Sequence, residues 1–254
     1  KRRGYFCLIY FKSMFMNPVF YSNPTPLHAE AHKAWSIEPV QQYAFARDTN
    51  SVYLMAVEMV LASKEYPILF ARQADGIVPI VLLGVESDNN QFVIEGGHWN
   101  ANYIPAYVRR YPFIPAVVDG SSDTLTVCVD QDYAGLYQHG EAGLPLFEED
   151  GTPASITAQA ITLLQSYHGE HQNTVDFCEQ LEQLCLLEEA RLEVNRRGGE
   201  ESENKQQALS GFLRINQERF LALDGGALEA LRDSGGLERV YAHFQSLDNL
   251  KRLL

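Results

Sequence analysis

The chain has 254 residues, of which 46% are hydrophobic and 21% are charged, as in an ordinary globular protein. This composition excludes a disordered chain, a collagen-like repeat and a coiled-coil rod. The formal net charge is -13, and residues 120–210 carry 17 of the 33 acidic residues but only 4 of the 20 basic ones. Such a field repels phosphate groups, so we expect no nucleic-acid partner and no attraction to anionic lipid. The acidic region is either a solvated face or a docking surface for a cationic partner.

The first residues differ from the rest of the chain. A basic start and the apolar stretch Gly4–Phe11 imitate a secretory signal, but the stretch is short and no small-x-small cleavage site follows. We therefore expect residues 1–15 to be a non-native or flexible extension. The other long apolar stretch, Ile77–Val85, is too short to span a bilayer. The four cysteines form no Cys-x-x-Cys pair, which favours a reducing, cytoplasmic setting.

In chain order, the first predicted elements are extended. Residues 17–48 are rich in proline and aromatic residues, which favours extended segments and turns. Residues 50–64 predict a buried helix, because apolar residues recur at helical spacing nearly all round. A hairpin of Ile68–Arg72 and Ile77–Val85 around an Asp-Gly turn follows, and Gln91–Glu95 is predicted as a third strand.

The middle of the chain predicts a short helix at Tyr103–Arg110, which Pro112 ends. A second hairpin is predicted from Phe113–Val118 and Leu125–Asp130, again around an Asp-Gly turn. The glycine-rich residues 131–152 are predicted to be loop.

The C-terminal part is predicted to be mainly helical. One helix begins near Pro153, and a second runs from Val175 to Leu192 after a bend at Gly169–Asn173. Residues 195–207 predict a polar surface loop and Ser210–Ile215 a strand, and the remainder predicts short helices broken at paired glycines.

Strands that precede helices in this way predict an α+β architecture. We expect an antiparallel β-meander in a β-rich part, residues 16–152. A mainly helical part, residues 153–254, is expected to pack on it as one compact unit.

Short catalytic signatures are missing from the sequence: it has no phosphate-binding loop, dinucleotide fingerprint, zincin motif or nucleophile elbow. Glu58, however, is a lone carboxylate among apolar neighbours, whether its segment is a helix or a strand. Burial without a partner would favour its protonated form, as in many general acids and bases. The alternative is a structural Glu58 that is paired with an arginine such as Arg47 or Arg110.

The segment from His98 to Phe113 contains many aromatic residues and two arginines but no acid. Arginine beside aromatic rings suits a planar anion, a carboxylate or a peptide terminus. The alternative is core packing of the rings, with the arginines tied to internal carboxylates. Tyrosines recur here at every fourth position and would form one stripe on a helix. The residues predicted to form a binding site are His98, Trp99, Tyr103, Tyr107, Arg109, Arg110 and Tyr111.

Two histidine pairs have a spacing that would let both rings touch one metal ion on a helix. They are His28 with His32, and His168 with His171. His28 and His32 have no nearby acidic or thiolate ligands. A zinc site of His168, His171, Cys178 and Cys185 is the alternative, but these spacings match no compact zinc motif, so we predict no metal site and no cofactor.

Several stretches together carry a family resemblance. They are FARDTNSVYLMAVEMVLASKEYPILF (45–70), PIVLLGVESDNNQFVIEGGHWNANYIPAYVRRYPF (79–113), LFEEDGTPA (146–154), LSGFLRINQERFLAL (209–223) and ALEALRDSGGLERVYAHFQSLDNLKRL (227–253). This pattern resembles the SapC family, most specifically in YPILF and YIPAYVRRYPF, and the likeness runs from about Met16 to the C-terminus.

The resemblance implies a bacterial source and a family named for a surface-layer protein gene cluster, distinct from the peptide-transporter permease of the same name. It supplies no catalytic residues. Relatives are encoded near flavin-dependent halogenase-like proteins and cupin-type hydroxylases, which implies an accessory role in a modification or uptake system.

We therefore predict a soluble, cytoplasmic, non-catalytic accessory or binding protein without a membrane span. Its partner would be a protein or a small anionic ligand, and its oligomeric state is left open. The alternative is an enzyme for a small anionic or peptide-like substrate, with Glu58 as general acid/base and Arg110 orienting the substrate. An enzyme needs Glu58 to reach a pocket, whereas a binding protein can keep Glu58 sealed and paired.

Overall fold

The computed structural model describes residues 19–117, 125–195 and 206–253. It combines antiparallel sheets with helices that are concentrated in the C-terminal part, so the predicted α+β class is confirmed. The strands are β1 (Pro24–Pro26), β2 (Ser36–Ile37), β3 (Ser51–Tyr53), β4 (Ile68–Gln73), β5 (Gly76–Leu82), β6 (Phe113–Val117), β7 (Leu125–Asp130), β8 (Leu136–Tyr137), β9 (Leu144–Pro145), β10 (Leu187–Asn195) and β11 (Gln206–Ile215). The α-helices are α1 (Met59–Ala62), α2 (Ala106–Arg109), α3 (Ser155–Gln183), α4 (Gln217–Leu221), α5 (Gly225–Asp233) and α6 (Gly236–Ser246).

The contacts between residues divide the chain into two compact units, each assembled from two stretches. Unit 1 takes its residues from Lys1–Gln41 and Arg110–His168, and unit 2 from Gln42–Arg109 and Gly169–Leu254. The division after residue 152 that the sequence suggested stays a prediction. The predicted extension over residues 1–15 lies outside the described residues.

Unit 1 contains two three-stranded antiparallel sheets, with strand orders β1-β7-β6 and β8-β2-β9. The predicted second hairpin is confirmed, because β6 pairs with β7 from Phe113 opposite Val129 to Val117 opposite Leu125. Two short strands, β8 and β9, lie within the predicted loop 131–152. The apolar core of this unit is formed by Trp35, Ile37, Phe113, Val129, Leu146, Phe147, Ala160 and Leu164.

Unit 2 is built around a five-stranded antiparallel sheet with strand order β10-β11-β4-β5-β3. The predicted first hairpin is confirmed as β4 and β5, which are paired from Ile68 opposite Val81 to Gln73 opposite Gly76. Consecutive residues of both strands are buried, as in Ile68, Leu69 and Phe70, so the sheet is covered on both faces here. Helix α6 contacts β4 and β11 and provides part of this cover.

The predicted helix over residues 50–64 is wrong. Residues Ser51–Tyr53 form β3, which pairs with β5, and only Ala56–Glu58 (a 3-10 turn) and α1 are helical. A segment that is apolar all round cannot be assigned to helix or strand by its period alone, and here the pairing with β5 decides. The strand predicted at Gln91–Glu95 is also wrong: the stretch forms turns, with one isolated bridge between Val93 and Trp99.

Two errors concern the C-terminal part. The bend predicted at Gly169–Asn173 does not occur, because α3 is continuous and Gly169 lies on an exposed helix surface. The second predicted helix ends at Gln183, and Leu187–Asn195 is the strand β10 instead. The strand predicted at Ser210–Ile215 and the short helices after it are confirmed. Residues 196–205, most of the predicted loop, lie outside the described residues.

Candidate functional site

Glu58 is buried, with 6% of its surface exposed. Its Oε1 accepts hydrogen bonds from the Tyr103 hydroxyl at 2.5 Å and from the backbone N–H of Ala106 at 2.7 Å. Its Oε2 accepts from the N–H of Met55 at 3.0 Å, in the manner of a capping box for the 3-10 turn. The partners of Glu58 are therefore backbone amides and a tyrosine, not the arginines that the sequence suggested.

Glu65 is a second carboxylate that binds the same neighbouring segment. It accepts hydrogen bonds from the backbone N–H groups of Asn102 and Tyr103, both at 2.9 Å. Arg252 lies beside it, with Nη1 3.7 Å from Oε2. The two carboxylates thus fix residues 102–106 at two points, through main-chain donors.

Tyr66 provides a third attachment. Its buried hydroxyl donates to the carbonyl oxygen of Tyr103 and accepts a hydrogen bond from Nε1 of Trp99 at 2.7 Å. Burial is the main reason that the pKa of Tyr66 lies well above its ordinary value, so the hydroxyl stays protonated and can donate. Residues 99–106, which we call the recognition segment, are therefore held in one conformation.

The recognition segment leads into α2, which begins at Ala106. Pro105 starts the turn, since its carbonyl oxygen accepts from the N–H groups of Val108 and Arg109. Tyr103 precedes the helix, so the predicted helix from Tyr103 to Arg110 is too long and the predicted tyrosine stripe does not form.

An exposed guanidinium lies at the end of α2. The Nε of Arg109 donates to the carbonyl oxygen of Ile104 at 2.8 Å, and its Cζ is 5.8 Å from the centre of the Tyr103 ring. Among the residues that the structure describes, no carboxylate forms an ion pair with Arg109. The side chain is thus positioned by the carbonyl oxygen of Ile104 and lies against the Tyr103 side chain.

Tyr43 continues this surface. Its half-buried ring lies edge-on to Trp99, at 5.6 Å between ring centroids, and its N–H donates to the carbonyl oxygen of Gly97 at 2.7 Å. Burial raises the pKa of Tyr43, and the positive charge of Arg109 acts in the opposite direction. We call Tyr43, Trp99, Tyr103 and Arg109, all in unit 2, the aromatic row.

The predicted site residues fall into three groups. Trp99, Tyr103 and Arg109 belong to the aromatic row, and His98 is exposed beside Trp99 in the chain. Tyr107 is fully buried in unit 2, with 1% of its surface exposed.

The other two predicted residues belong to unit 1. Arg110 is 2% exposed, and its Cζ lies 4.9 Å from the ring centre of Tyr167 and 5.8 Å from that of Tyr21. Tyr111 is also buried, and burial together with the charge of Asp130 raises its pKa to about 12. The binding role of these residues stays a prediction.

Sequence reasoning missed Tyr43, Glu65 and Tyr66. Tyr66 lies in the YPILF stretch, but only the folded chain shows that its hydroxyl reaches Trp99. Tyr43 lies in a segment without a clear period, so no spacing indicated that its ring would meet Trp99 of the recognition segment.

The histidine pair in unit 1 is part of local packing. The backbone N–H of His28 donates to Nδ1 of His32 at 3.1 Å, and the His32 ring stacks on Trp35 at 4.0 Å. In the described part of the chain, no group of three or more histidine, cysteine or acidic side chains is arranged to hold a metal ion.

Comparison with known proteins gives one family. The family model described as SapC matches residues 27–253, nearly the whole chain. Neither the curated proteins nor the solved structures give a match. Within residues 19–117, 125–195 and 206–253, no helix is long and apolar enough to cross a membrane. The extent of the match shows that the chain belongs to the SapC family.

Proposed function

We propose that this chain is a non-catalytic binding protein whose recognition surface is the aromatic row. The observation that carries the proposal is Arg109: an exposed cation without an ion-pair partner in the described residues, in a chain of net charge -13. Other exposed arginines, such as Arg47, also lack an ion pair, but Arg109 differs from them because its Nε is held by the carbonyl oxygen of Ile104 and its Cζ lies 5.8 Å from the centre of the Tyr103 ring. A guanidinium beside aromatic rings is suited to a ligand from outside.

The environment of Glu58 supports binding over catalysis. Its carboxylate accepts three hydrogen bonds from Met55, Tyr103 and Ala106, and its side chain is buried. A general acid or base must reach the proton that it transfers, directly or through one water. Glu58 instead stabilises the segment that presents Trp99 and Arg109.

The setting of the proposed function follows from the family and from the cysteines. As the family resemblance implies, we place the protein as an accessory component of a surface-layer, modification or uptake system in bacteria. Cys128, Cys178 and Cys185 are free thiols, and burial raises the pKa of Cys128 and Cys178 to about 12, which suits packing in a reducing cytoplasm.

The test is to purify the chain from the cells that naturally produce it and to identify what remains bound by native mass spectrometry. Arg109→Gln should lose the bound ligand or partner. Arg47→Gln is the matched control, because Arg47 is also exposed in unit 2 and its side chain forms no ion pair within the described residues. A bound molecule that survives Arg109→Gln unchanged, or a purified wild type that carries nothing, would contradict the proposal.

A further inference from the structure

Unit 2 contains an open cavity of about 480 Å³, lined by the C-terminal half of α3 and by residues at the junction of α5 and α6. A volume of this size lies within the range of small-molecule binding sites. Its charged lining residues are Asp176 and Glu179 on α3 and Arg239 on α6, and the remaining polar groups are amides and one hydroxyl. The cavity shares no residue with the aromatic row.

The junction of α5 and α6 is fitted closely to α3. The hydroxyl of Ser234 donates to Oε1 of Gln180 at 2.8 Å. A Cβ added at Gly236 would lie only 3.1 Å from the same Oε1, so a glycine is needed for this close approach. The preceding Gly235 has a φ of +71°, a conformation that also favours glycine. The paired glycines that break the helical pattern in the sequence thus form one wall of the cavity.

Arg239 is positioned by apolar packing. Its side chain is half-buried, and its Cζ lies 5.4 Å from the ring centre of Phe177, which is itself only 2% exposed. A Cβ added at Gly235 would lie 3.9 Å from Nη2, so the guanidinium extends back over the turn. In the described part of the chain it forms neither a hydrogen bond nor an ion pair, so its N–H groups can serve a ligand.

The two carboxylates belong to one face of α3, because Asp176 and Glu179 are three residues apart on the helix. Both side chains are exposed. Oδ1 of Asp176 accepts a hydrogen bond from Nε2 of Gln172 at 2.7 Å, which leaves Oδ2 for another donor. Glu179 has no hydrogen bond or ion pair to any other described residue. The cavity therefore offers two negative groups and one positive group, which do not neutralise one another.

We propose that this cavity binds a basic amino acid, a ligand with one carboxylate and two ammonium groups. Arg239 binds the carboxylate through its fork of N–H groups, and Asp176 and Glu179 bind the ammonium groups. The three charges of such a ligand are opposite to the three charges of the lining. A diamine would leave Arg239 without an anion, and an amino acid with a single ammonium group would leave one carboxylate without a cation.

The charge of the surrounding chain favours the same class of ligand. Asp176 and Glu179 belong to the acidic region over residues 120–210, whose negative field attracts molecules of net positive charge. This site goes beyond the function proposed above, since it is formed by other residues and takes a ligand of its own.

The experiment titrates the full chain with three probes at neutral pH by isothermal titration calorimetry. The probes are L-lysine, cadaverine, which is lysine without the carboxylate, and 6-aminohexanoate, which is lysine without the α-ammonium group. Lysine should bind saturably and about tenfold more tightly than either analogue, because each analogue leaves one charged group of the cavity unpaired.

The variants assign the charges to their residues. Glu179→Gln should weaken lysine binding by about tenfold. Glu182→Gln is the matched control: Glu182 is exposed on the same helix but lies outside the cavity lining, so the variant removes the same charge and should bind lysine like the wild type.

Arg239→Gln should abolish the preference for lysine over cadaverine, because the carboxylate then has no cation to bind. Arg239→Lys keeps the charge without the fork of N–H groups and should retain part of that preference. A circular dichroism spectrum like that of the wild type shows that each variant is folded. Because the preference is a ratio of two affinities for the same variant, a small loss of stability does not imitate its disappearance.

Four results would overturn the inference. Equal affinity of the wild type for lysine and cadaverine would mean a general attraction of cations to the acidic face. Equal affinity for lysine and 6-aminohexanoate, or the absence of saturable lysine binding, would exclude a basic amino acid as the ligand. Equal losses in Glu179→Gln and Glu182→Gln would place the binding outside the cavity.

Discussion

At the scale of single residues, the structure shows how a buried carboxylate is accommodated without a buried counter-ion. The side-chain oxygens of Glu58 accept three hydrogen bonds, two of them from the backbone amides of Met55 and Ala106. Burying an arginine partner would have cost more desolvation than burying backbone amides, because a guanidinium is charged and an amide is neutral.

Glu58→Gln should therefore destabilise the fold although the two side chains have the same shape. The amide oxygen can still accept from Tyr103 and Ala106, but the amide nitrogen then faces the N–H of Met55, a donor against a donor. We expect the free energy of unfolding in urea to fall by about 1–3 kcal/mol. Glu95→Gln, at an exposed glutamate of unit 2, is the control and should be neutral; equal effects of the two substitutions would contradict this account.

His243 gives a pH dependence. It is completely buried in unit 2, its Nε2 accepts from the N–H of Ile215 at 3.1 Å, and burial lowers its pKa from 6.5 to about 3. Between these values the unfolded chain binds a proton that the folded chain does not. The contribution of the neutral His243 to the free energy of unfolding is therefore fully present above about pH 6.5. It is lost as the pH falls towards 3, by about 1.4 kcal/mol per pH unit.

The comparison that isolates this residue is His243→Gln, which can still accept from Ile215 but does not titrate. In urea denaturation at several pH values, the free energy of unfolding should fall more steeply with decreasing pH for the wild type than for the variant. Parallel pH profiles would show that the neutral form of His243 is not what acid removes.

At the scale of elements, local signals and long-range pairing had different predictive value. The hairpins β4–β5 and β6–β7 could be predicted because, in the sequence, an Asp-Gly pair stands between two apolar runs in each. The strand β3 could not, because Ser51–Tyr53 is defined by its pairing with β5 and not by its own period.

The candidate site was predictable to a similar extent. An acid-free aromatic segment indicated Trp99, Tyr103 and Arg109 from residue types alone. The sequence could not predict that Arg109 belongs to unit 2 and Arg110 to unit 1, because nothing in the sequence of two neighbouring residues indicates that they pack differently.

Two glycines have room for a larger side chain but differ in backbone conformation. Gly169 lies in the helix α3, and Gly211 lies in the strand β11 with a φ of +91°. A Cβ added at either position would meet no atom within 4 Å. Gly169→Ala should raise the free energy of unfolding by about 0.5–1 kcal/mol, because alanine favours the helix. Gly211→Ala should lower it, because alanine disfavours positive φ. Changes of the same sign in thermal or urea denaturation would contradict one of the two assignments.

At the scale of the whole molecule, the dominant property is charge. The net charge of -13 arises from the acidic region over residues 120–210, while the rest of the chain is balanced. Self-repulsion of this kind destabilises a folded chain and is reduced by salt.

We therefore expect the free energy of unfolding to increase when NaCl is raised from about 20 mM to about 200 mM at neutral pH. Near pH 4.9, the isoelectric point, the net charge is close to zero and the same salt change should have little effect. Denaturation curves at the four conditions check this. A salt effect of the same size at both pH values would mean that charge repulsion is not its source.

The anchoring of the recognition segment has one further consequence. The main-chain N–H groups of Asn102 and Tyr103 donate to Glu65, and that of Ala106 donates to Glu58. Every amino acid except proline has such an N–H group. The backbone course of this loop is thus largely independent of the side chains that it displays. Exchanging residues 98 and 109 should therefore leave this backbone in place, because neither side chain takes part in the hydrogen bonds to Glu58, Glu65 and Tyr66.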